Sequence, residues 1–247
     1  ALGQMNLQLH VVISDITGTT GMRILRAIVA GQRNPEVLAA FRDSHCKNSY
    51  EVIAKSLHGT YKSEHLFQLT QALELYDYYT RMIKSCDREI EKHYACFPAR
   101  VSPEEKPLLP LKRKHRLPAK NEPDFDVRTQ LYRVCGVDLT RIDGCKALTI
   151  QTLISEIGVD MSKWKTAKHF ASWLCLCPDN DISGGKVLRT RTRKTKSRAN
   201  KALRMAAQSL HHSDSALGAY YRRMRAKLGA PKAITAAAHK LSRIIYT

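Results

Sequence analysis

Between Lys62 and Tyr94 apolar residues return at steps of three and four: Leu66, Leu69, Leu73, Tyr76, Tyr79, Ile83, Cys86 and Ile90. That period fits one face of an α-helix and not the alternation of a strand, so the spacing predicts one long helix over 62–94. Directly after it come Pro98, Pro103, Pro107, Pro110, Pro118 and Pro123. Proline lacks an amide donor and fixes the backbone, so neither helix nor sheet is expected to persist there. The chain is thereby divided into a helical segment with a coiled-coil-like helix over 1–95, a Pro-rich basic linker over 96–124, and a second helical domain over 125–247. The fold class expected is mainly α.

Each part has its own punctuation. Near the start, Ile16-Thr17-Gly18-Thr19-Thr20-Gly21 separates two short helical patterns. Turn amides in such a corner can hold a phosphate, but an ordinary tight helix corner is the preferred reading. The stripe over 62–94 suits packing within one chain, and its heptads also suit a homo-oligomer. In the last part, helices are expected over 147–157, 166–174 and 198–212. Another, capped by Ser213 or Asp214, runs through Lys227, and a last one ends near Ile245. Only Val187-Leu188-Arg189-Thr190-Arg191-Thr192 offers a ribbon.

Charge narrows the partners. Lys and Arg number 41 against 22 Asp and Glu, a formal net charge of +19. Such an excess favours a polyanion, because each neutralised phosphate releases condensed counterions. No apolar run reaches the roughly 18 residues that a membrane-spanning helix needs. Ala1-Leu2-Gly3-Gln4-Met5 has neither an initiator Met nor a signal-peptide pattern, as in a piece of a longer chain or a degraded reading frame. The 7 cysteines are scattered and odd in number, which suits a reducing cytoplasm better than a disulfide framework. Cys175-x-Cys177 invites a zinc reading, but two reduced cysteines at the buried end of a helix are preferred.

The chemistry concentrates in Ile182-Ser183-Gly184-Gly185-Lys186 and in the cations that follow. Arg189, Arg191, Arg193, Lys194, Lys196, Arg198, Lys201 and Arg204 lie in a stretch without a single Asp or Glu from 182 to 213. A serine beside two glycines offers a hydroxyl on lightly restrained backbone. Taken alone, Ser183 reads as part of a flexible turn. The basic run is better read as a nucleic-acid contact than as a solvated face. The cluster Lys112-Arg113-Lys114-His115-Arg116 is read as solvated by default, with contact to nucleic acid as the alternative. Upstream, Ile142-Asp143-Gly144-Cys145-Lys146-Ala147 resembles a helix-hairpin-helix element, in which glycines let backbone amides approach a phosphate without reading sequence. Lys146 fills the second glycine position, so a strained or remodelled hairpin is expected.

Taken together, several runs resemble one family. They are Gly136-Val137-Asp138-Leu139-Thr140-Arg141-Ile142-Asp143-Gly144, Ile154-Ser155-Glu156-Ile157-Gly158, His169-Phe170-Ala171-Ser172-Trp173-Leu174, Leu176-Cys177-Pro178, the Ser183 motif, Ala219-Tyr220-Tyr221-Arg222-Arg223 and Lys232-Ala233-Ile234-Thr235-Ala236. They are similar to the carboxy-terminal domain of the IS-one-ten group of bacterial insertion-sequence transposases, the Piv-like or bridge-RNA-guided DEDD recombinases. The resemblance covers about 126–247, and residues 5–95 are similar to the helical segment preceding that domain.

The resemblance implies that Ser183 attacks a DNA strand and forms a phosphoserine link. It implies four acids on an amino-terminal RuvC-like domain that bind a divalent metal such as Mg and complete a composite site. No cofactor is assigned to this chain itself. DNA, and a guide (bridge) RNA, are the partners implied, in a bacterial cytoplasm at the nucleoid. The residues assigned to nucleic acid are Gly144, Lys146, Lys186, Arg189, Arg191, Arg193, Lys194, Lys196 and Arg198, with Lys186 expected to offset phosphate charge. None of the four acids can be matched here, so this polypeptide alone is not expected to cut or join DNA. Two functions follow: a transposase fragment that needs the metal-binding domain, or a non-catalytic nucleic-acid-binding remnant that co-assembles with a full-length relative. An inert remnant that does not fold stably is the third reading.

Overall fold

The computed structural model describes residues 1–110 and 122–247; the basic cluster at 112–116 and Pro118 lie outside the described residues. The protein is mainly α, with eleven helices and one two-stranded sheet among the described residues. It divides into two compact units, Ala1–Ser85 and Cys86–Thr247.

The first unit holds the short helices α1 (Leu9–Val12), α2 (Thr19–Val29), α3 (Pro35–Ala39) and α4 (Tyr50–Ser56). Its core gathers Met5, Leu7, Leu9, Ile24, Ile28, Leu38, Ile53 and Leu57, all fully buried. Each such side chain contributes about 1.5–3 kcal/mol by leaving water. The 16–21 corner is closed internally: Thr17 donates both its amide and its hydroxyl to the Asp15 carboxylate, at 2.9 and 2.7 Å. The Thr17 amide of that corner is thus already paired with a carboxylate of the protein.

The long helix predicted over 62–94 is α5 (Ser63–Cys96). Its stripe has two fates. Leu69 is buried, and Leu66 and Leu73 pack on the same core of the first unit. Further along, Tyr79, Ile83, Cys86 and Ile90 are exposed.

The second unit comprises α6 (Val127–Cys135), α7 (Ala147–Ile157), α8 (Ala167–Trp173), β1 (Pro178–Ser183), β2 (Lys186–Thr192), α9 (Arg198–Ser209), α10 (Ala216–Leu228) and α11 (Ala230–Tyr246). The cap of α10 is Ser215, which accepts from the Gly218 amide at 3.2 Å, rather than Ser213 or Asp214. Helices α9 and α11 are central: α11 packs on α8, α9 and α10, while α7 packs on α6 and α9. Ala199, Ala206 and Ala207 of α9 and Ala233, Ala237 and Ala238 of α11 are buried, small side chains that let helix backbones come close. Burial lifts the Cys145 thiol, within this core, to about 12, so it is a small apolar group and not a reactive one.

The Pro-rich stretch has no helix or strand among its described residues, yet it is not a bare tether. Arg133 of α6 donates to the Phe97 carbonyl at 3.0 Å and also to that of Tyr94. The Arg100 amide donates to the Arg133 carbonyl at 2.8 Å, and Tyr132 donates to the Lys106 carbonyl at 3.1 Å. Backbone groups that proline excludes from a helix ladder are thus partly paired against α6.

Candidate nucleic-acid interface

The Ser183 motif folds as the tip of an antiparallel hairpin. Gly184 and Gly185 both adopt positive φ, 54° and 75°, which is the two-residue turn whose twist suits a hairpin. Side chains at either position would strain that backbone, so the glycines fix the turn more than they loosen it. Ser183 pairs with Lys186 across the turn, and Ile182 with Val187. An irregularity follows, with Asp181 paired to Arg189, Asn180 to Thr190, Asp179 to Arg191 and Pro178 to Thr192. Leu188 is the extra residue of a bulge.

Because side chains alternate across a strand, this register sorts the ribbon into two faces. Ser183, Lys186, Arg189 and Arg191 fall on one, together with Asp179 and Asp181, which stand opposite the two arginines. Ile182 and Val187 share the other. Apart from Thr192, which is half-buried, every residue of both strands is exposed, and Ile182, Val187 and Leu188 leave 62%, 54% and 70% of their surface in solvent.

A two-stranded ribbon in water is marginal by itself, so its base must be held. Arg193 turns back from the end of β2 and donates to the Ser172 carbonyl at 2.8 Å and to its hydroxyl at 3.2 Å. The buried Asn200 side chain donates to the Leu174 carbonyl at 2.6 Å. Glu156, at the end of α7, accepts from the Ser197 hydroxyl and the Ala199 amide, both at 3.1 Å, and from the amide and Nε of Arg198 at 3.2 and 3.0 Å. A carboxylate there satisfies amides that have no partner within α9 and meets the positive end of its dipole. The Ala199 amide, then the Arg198 guanidinium, hold Glu156 down at about 2.

These contacts separate the residues that the sequence grouped. Lys186, Arg189, Arg191, Lys194 and Lys196 are exposed. Arg193 and Arg198 are exposed too, but each is engaged by the protein, through Ser172 and Glu156. Gly144, at φ 86°, is turned toward α9; a Cβ built there would stand 2.7 Å from the Ala206 carbonyl oxygen. Its glycine identity is therefore accounted for by helix packing. Lys146 is the exposed N-cap of α7 at φ −96° and ψ 164°, ordinary extended backbone, so a lysine in the second hairpin-glycine position introduces no backbone strain.

All 7 cysteines are free thiols. Cys175 and Cys177 are half-buried just past α8, and burial raises the Cys177 thiol above its ordinary range. Among the described residues no three His, Cys, Asp or Glu side chains gather where they could hold a metal ion. No helix among them is long and apolar enough to cross a membrane.

Residues 137–222 match the family model described as the Transposase IS116/IS110/IS902 family. The matched segment contains Gly144, Glu156, the whole Ser183 hairpin, α9 and the first half of α10. The match supports a transposase role for this segment. No curated protein and no solved structure matches the chain.

Sequence reasoning missed β1, whose Pro178-Asp179-Asn180-Asp181 start has poor strand propensity and reads as a loop. It also missed Glu156 as the cap of α9. The signal for that residue was an acid about forty residues from its partners, which local capping rules do not reach.

Proposed function

We propose that the second unit is the serine-bearing part of a DNA transposase, with Ser183 as nucleophile. The observation that carries the reading is the hairpin register, within the segment matched to a transposase family. It puts the Ser183 hydroxyl on one exposed face with Lys186, Arg189 and Arg191.

In the proposed step Ser183 Oγ attacks a backbone phosphorus of DNA. The Oγ–P bond forms as a bond from phosphorus to a sugar oxygen breaks. The serine loses its proton, and the departing sugar oxygen gains one. One phosphodiester replaces another, so no water and no nucleotide hydrolysis enters the balance, and joining is the reverse attack by a sugar hydroxyl. Lys186 and Arg189 offset the charge that builds on the phosphate oxygens, an effect strongest where water is excluded. A structured RNA offers the same phosphates and is the second polyanion this reading admits.

The exposed half of α5 belongs to the same proposal. Ile83 and Ile90 stand one heptad apart in solvent, with Tyr79 and Cys86 beside them, and a second copy of this helix is the partner that would cover them.

Ser183→Ala tests the nucleophile. The chain is co-expressed with a full-length relative whose own serine is replaced, and joining of a labelled DNA end is followed. Restored joining by the unaltered chain and none by the Ala variant, with DNA binding equal in both, is the expected result. Joining by the Ala variant overturns the assignment. A joint loss of binding makes Ser183 structural. No rescue by either chain, with DNA binding retained, favours a non-catalytic nucleic-acid-binding role.

A further inference from the structure

The cations of the hairpin are only one of two acid-free sets in the second unit. From Ser215 to Thr247 there is again no Asp or Glu, while Arg222, Arg223, Arg225, Lys227, Lys232, Lys240 and Arg243 are present. These residues lie along α10 and α11, outside the Ser183 ribbon and, for all but Arg222, outside the segment matched to the transposase family.

Between α10, α11 and the start of α8 lies an open cleft of about 520 Å³. Tyr220, His239, Lys240, Arg243, Ala167 and Thr247 line it. The Lys240 ammonium sits 4.4 Å from the centre of the Tyr220 ring, and the Arg223 guanidinium 5.8 Å from it. Attraction to the ring holds a lysine head that would otherwise be dispersed in solvent. The wall beneath is fixed. Tyr246 donates to the Trp164 carbonyl at 2.6 Å, and its ring packs 6.0 Å from that of Phe170, which meets Trp164 at 4.9 Å. The His239 imidazole is half-buried, and its pKa is lowered by burial and then by Arg243. A cleft with one cation held over a ring, a second at Arg243, an imidazole and no acid suits an anion.

We propose that this cleft is a second phosphate-binding subsite for nucleic acid, in which Lys240 and Arg243 hold backbone phosphates apart from the strand engaged at Ser183. The inference rests on the transposase reading for its ligand class and on the cleft for its location. Duplex DNA and structured RNA share the chemistry, and the test separates them. Tyr220 is a positioning residue that acts through Lys240.

The experiment is a salt series of anisotropy measurements on the full chain, with a random-sequence duplex and with a structured RNA. Lys240→Gln/Arg243→Gln is compared with Arg189→Gln/Arg191→Gln. Each lost phosphate contact lowers the log–log slope by about 0.9 on duplex DNA and about 0.7 on single strands. The cleft variant is therefore expected to lose about two contacts' worth of slope on the nucleic acid that occupies it, which assigns the source. An unchanged slope on both, with the hairpin variant lowered, overturns the cleft and spares the proposed function. No binding by the unaltered chain overturns both. Should the Gln variant melt early, Lys240→Arg/Arg243→Lys, which keeps both charges, is expected to keep the slope, and bound nucleic acid is expected to shield Lys240 from acetylation. Full acetylation of Lys240 in the complex overturns the proposal.

Discussion

Glu156 Oε1 stands 3.0 Å from Nε of Arg198 and 3.2 Å from the backbone amide of the same residue. One carboxylate thus fixes the side chain of a basic-run arginine and the entry of α9, the helix on which the hairpin returns. Substituting Glu156 by Gln keeps the shape and removes the charge. The Glu156 carboxyl lies at about 2, below the ordinary 4.5, so its contribution is complete above about pH 4.5 and is lost as pH falls toward 2. Melting curves of the two proteins are expected to differ at pH 7 and to converge through that window. A difference that persists unchanged at pH 2 would mean that the charge of Glu156 is not what matters.

Gly144→Ala is expected to destabilise the second unit. Left-handed backbone at a residue other than glycine costs about 1–3 kcal/mol, and the new methyl would also press on the Ala206 carbonyl at 2.7 Å. Urea unfolding should show a lower midpoint with an unchanged slope. An unshifted midpoint would free Gly144 for a direct role at a phosphate.

The turn residues predict a local effect instead. Gly184→Val/Gly185→Val should break the ribbon while leaving the melting temperature of the helical core nearly unchanged, because almost every hairpin residue is exposed. Gly184→Asn, which forms the Asn-Gly pair preferred in such turns, should preserve it. Amide exchange across 178–192 reads both outcomes, and loss of core protection with the valine pair would show that the hairpin is part of the fold.

On α5, Ile83→Asp/Ile90→Asp should leave helicity intact and reduce the mass in solution if the exposed stripe joins two copies. A chain that sediments as a monomer before and after the change removes that part of the proposal.

Arg193→Gln should behave unlike its neighbours. Its guanidinium is spent on Ser172, so the main effect expected is faster exchange at the ribbon base. Arg191→Gln should instead lower the salt slope for duplex DNA by about 0.9. Equal slope losses in the two variants would place Arg193 on nucleic acid as well.

Periodicity made the helical architecture legible, and long elements were the easiest to read. The repeat from Leu66 to Ile90 located α5 to within two residues at its end. It could not reveal that Leu69 is covered while Ile83 is bare, because both occupy the same stripe and only tertiary packing distinguishes them. The candidate site was legible as composition, in the acid-free run and the two glycines. Its division into exposed and engaged cations was not. Ser172, Leu174 and Glu156 supply the partners from distant stretches, and no local pattern announces them. The strand before the turn was hidden by Asp and Asn, residues that favour turns until a partner strand with arginines opposes them.

The bulge at Leu188 sets the parity of the ribbon. Lys186 has an even number, while Arg189 and Arg191 have odd ones, so an uninterrupted strand would send the lysine and the arginines to opposite sides. One inserted residue reverses the count and gathers all three beside Ser183. Flattening the bulge with Leu188 kept in the ladder would change neither the net charge nor the order of the cations, yet it would turn Arg189 and Arg191 away from the serine. Deleting Leu188 outright would instead leave a regular strand in the same phase. What the site needs from this strand is not only how many positive charges it carries but the phase in which they are dealt.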